Sequence, residues 1–259
     1  MRKGSREGRC VRVNRGLGNR LRLGAERAVQ LELALTSGWG GRRVGAGRRP
    51  APWRRRMPHH ARPAHRAEHP VHVTLRSVCR SLRTQFVFPT VRNAILAANR
   101  AGAARFGVVE FSVQGDHLHL LVEARDRSAL IEGLRGLSIR IARRVNQLLG
   151  RRGRFFSDRW HGRALTSPRT VRNALVYVLA NFRKHRPEAR APLDVYSSAP
   201  YFRGFVECSR GTPIEESCWS LPLALAPPDQ PPIVTAKTWL LSTGWKRYGQ
   251  LSLLERPAH

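Results

Sequence analysis

The stretch Gly115-Asp116-His117-Leu118-His119-Leu120-Leu121-Val122-Glu123 decides how this chain is read. Two histidines flank one leucine just after a Gly-Asp pair, a favoured two-residue hairpin loop. In a strand, successive side chains point to opposite faces. His117, His119 and Leu121 therefore share one face, and Leu118, Leu120 and Val122 the other. The preceding run, Phe106 to Gln114, reads as the partner strand. A two-residue loop sets Gln114 opposite His117, Ser112 opposite His119 and Glu110 opposite Leu121. Val109, Phe111 and Val113 then join the leucine face, leaving Glu110, Ser112, Gln114 and both histidines on the polar one. Paired imidazoles on one face can hold a metal ion through neutral ring nitrogens. On spacing alone, two surface histidines on a half-exposed strand are the commoner outcome, so the rest of the chain must decide.

The chain has 259 residues and a formal charge of +30. This length allows one sizeable domain with extensions, or two small domains. Nearly all the positive charge is arginine, an electrostatic footprint for a polyanion such as nucleic acid. Cys10, Cys79, Cys208 and Cys218 are far apart and form no Cys-x-x-Cys pair, which argues against a zinc finger or a disulfide framework and fits a reducing cytosol. No apolar run approaches membrane-spanning length, so no membrane partner is expected.

Residues 1–68 are rich in Arg, Gly and Pro and read as a disordered basic arm. Residues 69–207 read as the folded domain, and residues 208–259 as a linker with an aromatic-basic C-terminal extension. Val71, Val73 and Leu75 alternate with His72, Thr74 and Arg76 as in a half-buried strand. His69 and His72 read as residues at the start of that strand rather than as ligands. A helix follows Pro89-Thr90 and ends near Gly102. A second, capped by Ser128, runs to about Leu149, with Leu130, Leu134, Leu137, Ile141, Val145 and Leu148 as its apolar stripe. An irregular strand covers residues 155–165. Ser167-Pro168 then starts a third helix, serine as cap and proline at its first position. Val171, Leu175, Val178 and Phe182 form its stripe; Tyr177 lies off the stripe, with Asn181 one turn further on the same flank. The first six elements, in the order strand, helix, strand, strand, helix, strand, predict a ferredoxin-like α+β fold. Its antiparallel sheet carries helices on one face and leaves the histidine face for the last helix or for substrate. In the extension, Trp239, Trp245, Lys246, Arg247 and Tyr248 can either stack on bases or dock the tail on the domain, and docking is the commoner fate of tryptophan.

His-Leu-His after a hairpin turn resembles the metal-binding motif of HUH endonucleases. Phe156-Ser157-Asp158-Arg159-Trp160, Ala164-Leu165 and Tyr177-Val178-Leu179-Ala180-Asn181 resemble the REP-associated tyrosine transposases, within the IS200-like single-tyrosine transposases. The resemblance spans about residues 69–205. One departure is Phe182, where the family pattern has proline, and the helix is expected to run on through it. The resemblance implies a metal-dependent single-stranded DNA transposase. Tyr177 would be the nucleophile that forms a covalent 5′-phosphotyrosine. His117, His119 and Asn181 would hold Mg²⁺ or Mn²⁺. The implied partner is single-stranded or hairpin DNA, contacted by Arg159, Trp160, Arg163 and Lys184, and a homodimer is compatible with the family. The implied location is the bacterial cytoplasm, on the nucleoid. The alternatives are a domesticated hairpin-binding protein without activity, and a zinc-dependent hydrolase using the same histidines.

Overall fold

A computed structural model of the chain describes residues 64–102, 104–185, 193–209 and 230–257. Most of the basic arm, residues 1–63, and the proline-rich stretch 210–229 lie outside the described residues. The elements in order are β1 (Val71–Arg76), α1 (Phe88–Gly102), β2 (Phe106–Val113), β3 (His117–Ala124), α2 (Arg127–Leu148), β4 (His161–Ala164) and α3 (Pro168–Leu179). Short helices α4 (Phe182–His185), α5 (Val206–Ser209) and α6 (Trp239–Ser242) follow, with 3-10 turns at Ala199–Tyr201 and Gly244–Tyr248. The four strands form one antiparallel sheet in the order β2-β3-β1-β4. This is the expected α+β, ferredoxin-like arrangement, with the two crossover helices α1 and α2 side by side.

One sheet face is apolar and packs on α1 and α2. Val71, Val73, Leu75, Val108, Phe111, Val113, Leu118, Leu120 and Val122 meet Val91 and Ile95 of α1, and Leu134, Leu137, Ile141 and Val145 of α2. Alternation in β1 and β3 produces this face directly. In β2 it is interrupted. Val108 pairs with Val122 and Glu110 with Leu121, so Val109 is an extra residue in a bulge. Val109 therefore leaves the leucine face, where strict alternation had put it, and Val108 takes its place.

The other face carries a second, smaller core. Val109 and Leu121 pack beneath Val171, Leu175 and Val178 of α3, together with Leu240, Leu241, Trp245 and Leu251. Residues 230–257 thus pack on the same sheet as α3. Val234 N–H donates to Val108 O (3.1 Å), and Val206 N–H to Leu251 O (2.8 Å). Arg172 of α3 grips Glu255 through two hydrogen bonds of 2.7 and 3.0 Å. Arg183 donates to Leu253 O at 2.9 Å. Two arginines bracketing Tyr177 in sequence, one on α3 and one on α4, therefore hold the tail.

Three local readings are corrected. The N-cap of α2 is Asp126, whose carboxylate accepts from Ala129 N–H; Ser128, inside the first turn, donates instead to Glu132. An Asp two residues earlier supplies the same cap chemistry. The irregular strand shrinks to the four residues of β4. The helix carrying Tyr177 does not run through Phe182: α3 ends at Leu179, Ala180 caps it, and α4 restarts at Phe182. At its start, α3 has the expected serine cap, completed by Thr170 as a capping box. Among the described residues no helix is long and apolar enough to cross a membrane.

Candidate active site

Strand pairing writes out the polar face of the sheet row by row, because residues directly opposite one another share a face. Ser112 pairs with His119, His119 with Thr74, and Thr74 with His161. In the next row Glu110 pairs with Leu121, Leu121 with His72, and His72 with Arg163. At the other side His117 pairs with Arg76. Four histidines, a threonine and two arginines therefore converge on the face that α3 crosses.

Tyr177, half-buried, stands over this cluster. Its ring centroid is 5.0 Å from that of His119 and 5.6 Å from that of His72. His117 and His119 are 4.8 Å apart, ring edge to ring face. Lys184, exposed on α4, brings its Nζ to 5.8 Å from the Tyr177 ring. Tyr177 and His119 meet within a single chain.

Each histidine of the His-Leu-His pair is held through its Nδ1. His117 Nδ1 lies 2.6 Å from Asp116 Oδ1. The hydrogen bond to His117 holds the Asp116 carboxyl below its ordinary range, so the pair is an imidazole donating to a carboxylate. His119 Nδ1 lies 3.2 Å from Thr74 Oγ1 and 3.3 Å from His72 Nε2. Burial pushes His72 down to about 4, with His161 and Arg163 adding to the effect, so this imidazole is neutral near pH 7 and can accept. The Nδ1–H tautomer of His119 is the one that donates to these partners, and it carries its lone pair on Nε2. Outer contacts of this kind fix ring orientation and tautomer at metal sites.

Asn181 sits between α3 and α4, fully buried, and neither atom of its side-chain amide has a hydrogen-bond partner. An orphaned buried amide costs roughly 1–3 kcal/mol, so such a group calls for a function. Paired imidazoles on one sheet face suit a divalent cation that retains further positions for substrate oxygens. Among the described residues, no three His, Cys, Asp or Glu side chains gather into a metal-binding group. A zinc-hydrolase site built on three strong protein ligands therefore has no counterpart among those residues.

The four residues expected from the sequence to contact DNA divide. Arg163 is exposed and shares the face of His72, and Lys184 approaches Tyr177. Arg159 is exposed at the approach to β4, its N–H donating to Asp158. Trp160 lies on the other side of the sheet. Gly162 pairs with Val73 on the apolar face, and a Cβ there would sit 2.5 Å from the Trp160 ring, which packs against the α1/α2 core. The indole fills the space the glycine leaves and gives no stacking surface beside Tyr177. In the tail, Trp245 is buried against α3, as docking requires, whereas Trp239 and Tyr248 are about half exposed.

The sequence reads His72 as a strand-entry residue and marks neither Thr74 nor His161 as part of the site. The signal was nonetheless present: the ferredoxin-like order places β1 between β3 and β4, so the polar positions of β1 must flank those of β3.

No family model matches the chain, and no curated protein does. Among solved structures, the chain is similar to a REP-associated tyrosine transposase bound to a REP hairpin, with a TM-score of 0.40 and 18% identity over 50% of this chain and 74% of that one. The likeness is one of fold.

Proposed function

We propose that this chain is a metal-dependent single-stranded DNA endonuclease and strand transferase that works through a 5′-phosphotyrosine on hairpin-containing DNA. The observation that carries the reading is the Tyr177 ring set against His119 and His72 within one chain. Tyr177 Oη attacks the scissile phosphorus, the bond from phosphorus to the 3′ oxygen breaks, and the phenol proton leaves as a 3′-hydroxyl is released. Attack by another 3′-hydroxyl on the phosphotyrosine reverses the step and joins a new strand, with no external energy source. His117, His119 and Asn181 would hold Mg²⁺ or Mn²⁺, which when bound supplies charge neutralisation at a non-bridging phosphate oxygen. Asp116, Thr74 and His72 orient the two imidazoles. Arg76, Arg163 and Lys184 supply positive charge around the site, and the overall charge of +30 favours a phosphate polymer over a small substrate.

The test is incubation of the protein with labelled hairpin DNA carrying a single-stranded flank, in Mg²⁺ or Mn²⁺. The expected product is a protein–DNA adduct that survives denaturation and is absent with Tyr177→Phe. Cleavage that persists in Tyr177→Phe would overturn the tyrosine mechanism. Tight hairpin binding with no adduct on any flank would leave a binding protein.

A further inference from the structure

A second cleft opens on the α3 side of the sheet, separated from His72 by Leu121. A cleft of about 410 Å³ lies among β2, α3, residues 201–204, residues 231–236 and the start of the last 3-10 turn. Its walls include Phe202 and Trp245, with Arg203 and Lys246 exposed among its lining residues. Glu110 also lines it. Glu110 is 5% exposed, and its Oε2 has no hydrogen-bond partner. Burial pushes its carboxyl up to about 8, against a hydrogen bond from Ser198 that pulls the other way, so near neutrality the acid keeps its proton. Nothing in the fold requires a carboxyl here. The hairpin register sets Glu110 opposite Leu121, on the face that the cleft lines, and an apolar residue would fill the place without an orphaned oxygen.

We infer that this cleft receives one extrahelical base of the DNA strand, with Glu110 reading its hydrogen-bonding edge. Three features of the walls select that ligand class. A buried carboxylic acid offers a donor and an acceptor side by side, and its strongest complement is a basic ring nitrogen beside an amine, the edge of adenine or cytosine. Phe202, part-exposed and backed by the buried Trp245 at a centroid distance of 5.8 Å, supplies the apolar wall a flat heterocycle needs. Arg203 and Lys246 repel a cationic ligand and favour one whose backbone is anionic. Leu175, two residues before Tyr177 on α3, lines the same cleft. Glu110 is two residues along β2 from Ser112, the partner of His119. That separation is about 7 Å of strand, so a chain with one phosphate at Tyr177 can reach the cleft with a neighbouring base. The assignment rests on the strand-processing reading for the source of the base.

The test measures binding of hairpin oligonucleotides with short single-stranded tails of dA, dC, dG or dT, or with an abasic position, by fluorescence anisotropy on the full chain. The expected result is that dA or dC tails bind about tenfold tighter than dT or abasic tails, the discrimination of a bidentate base contact. Glu110→Leu should erase this difference while leaving the bare hairpin affinity unchanged; Glu110→Gln, which keeps a donor and an acceptor, should retain it. If Glu110→Leu fails to fold by thermal melting, abasic scanning of the tail on the unaltered protein decides, with a single position expected to carry the loss. Equal binding of all tails, or a preference that survives Glu110→Leu, overturns the assignment. Saturation of the site by free dAMP or dCMP at micromolar concentration would instead make it a mononucleotide site. Failure of the strand-processing reading shows separately, as loss of the Tyr177-dependent adduct with the tail preference intact.

Discussion

The Tyr177 ring stands edge-on to His119, with planes at 84° and centroids 5.0 Å apart. A phenol so placed is off the apolar stripe of its own helix, whose Val171, Leu175 and Val178 face the core. Tyr177→Phe removes the oxygen and nothing else. The expected outcome is complete loss of the covalent adduct on a denaturing gel, hairpin affinity within about twofold of wild type, and a melting temperature within about 2 °C, since the side chain is only half-buried.

Asn181 gives a sharper separation of stability from activity. Its amide is buried without a partner, so replacing it with an apolar residue removes an unsatisfied group. Asn181→Leu is expected to leave stability unchanged or raise it by about 1 kcal/mol. The Mn²⁺ concentration needed for half-maximal cleavage should rise about tenfold or more. Thermal melting without metal and a Mn²⁺ titration of cleavage check the two halves. A drop in stability with unaltered metal dependence would make Asn181 a structural residue.

How far these relationships could be read in the sequence depended on whether a residue's position follows from its own strand or from a neighbour's. The hairpin was legible because a two-residue loop fixes register: Ser112 opposite His119 and Glu110 opposite Leu121 both hold. Val109 was not, because a bulge adds a residue without any mark in the strand's composition. His72 reads from the sequence as a strand-entry residue because its place beside His119 comes from β1 lying between β3 and β4, a tertiary fact. Trp160 is adjacent to Arg159 in sequence but faces the other side of the sheet, where Gly162 makes room for it. Phe182 in place of proline suggested a continuous helix, yet the chain breaks at Ala180 and Asn181 and buries the asparagine.

Thr74 tests the orienting shell. Its hydroxyl is 3.2 Å from His119 Nδ1 and contributes no backbone contact to the strand. Thr74→Val keeps the β-branched shape and the strand propensity. If His119 holds the metal as proposed, cleavage is expected to fall about 10–100-fold, with the loss recovered in part at high Mn²⁺. Circular dichroism should be unchanged.

Glu110 predicts how stability varies with pH. Its carboxyl titrates at about 8 in the folded chain, raised from an ordinary 4.5 by burial. The folded state therefore holds the proton more tightly than the unfolded state. The stabilisation is fully present below about pH 4.5 and is lost as pH rises towards 8, at a limiting slope of about 1.4 kcal/mol per pH unit. Glu110→Gln cannot ionise and should remove this component. Urea unfolding at pH 5, 6, 7 and 8 should show the wild-type midpoint falling relative to that of Glu110→Gln; parallel curves would mean that Glu110 is ionised in the fold.

The two sides of β4 should respond in opposite ways to substitution. Gly162 faces the α1/α2 core, and an added Cβ would come within 2.5 Å of the Trp160 ring, so the indole must move out of its packing. Gly162→Ala is expected to cost about 1–3 kcal/mol of stability and to leave hairpin affinity unchanged below the melting transition. Arg163, its exposed neighbour, points to the tyrosine side in register with His72. Arg163→Ala should leave the melting temperature unchanged, because an exposed arginine away from packing contributes little to stability. It should instead weaken binding to all hairpins alike and lower the slope of log affinity against log salt by about one, the signature of a lost phosphate contact. A uniform affinity loss in Gly162→Ala, or an unchanged salt slope in Arg163→Ala, would mean that DNA does not approach from the side Tyr177 occupies.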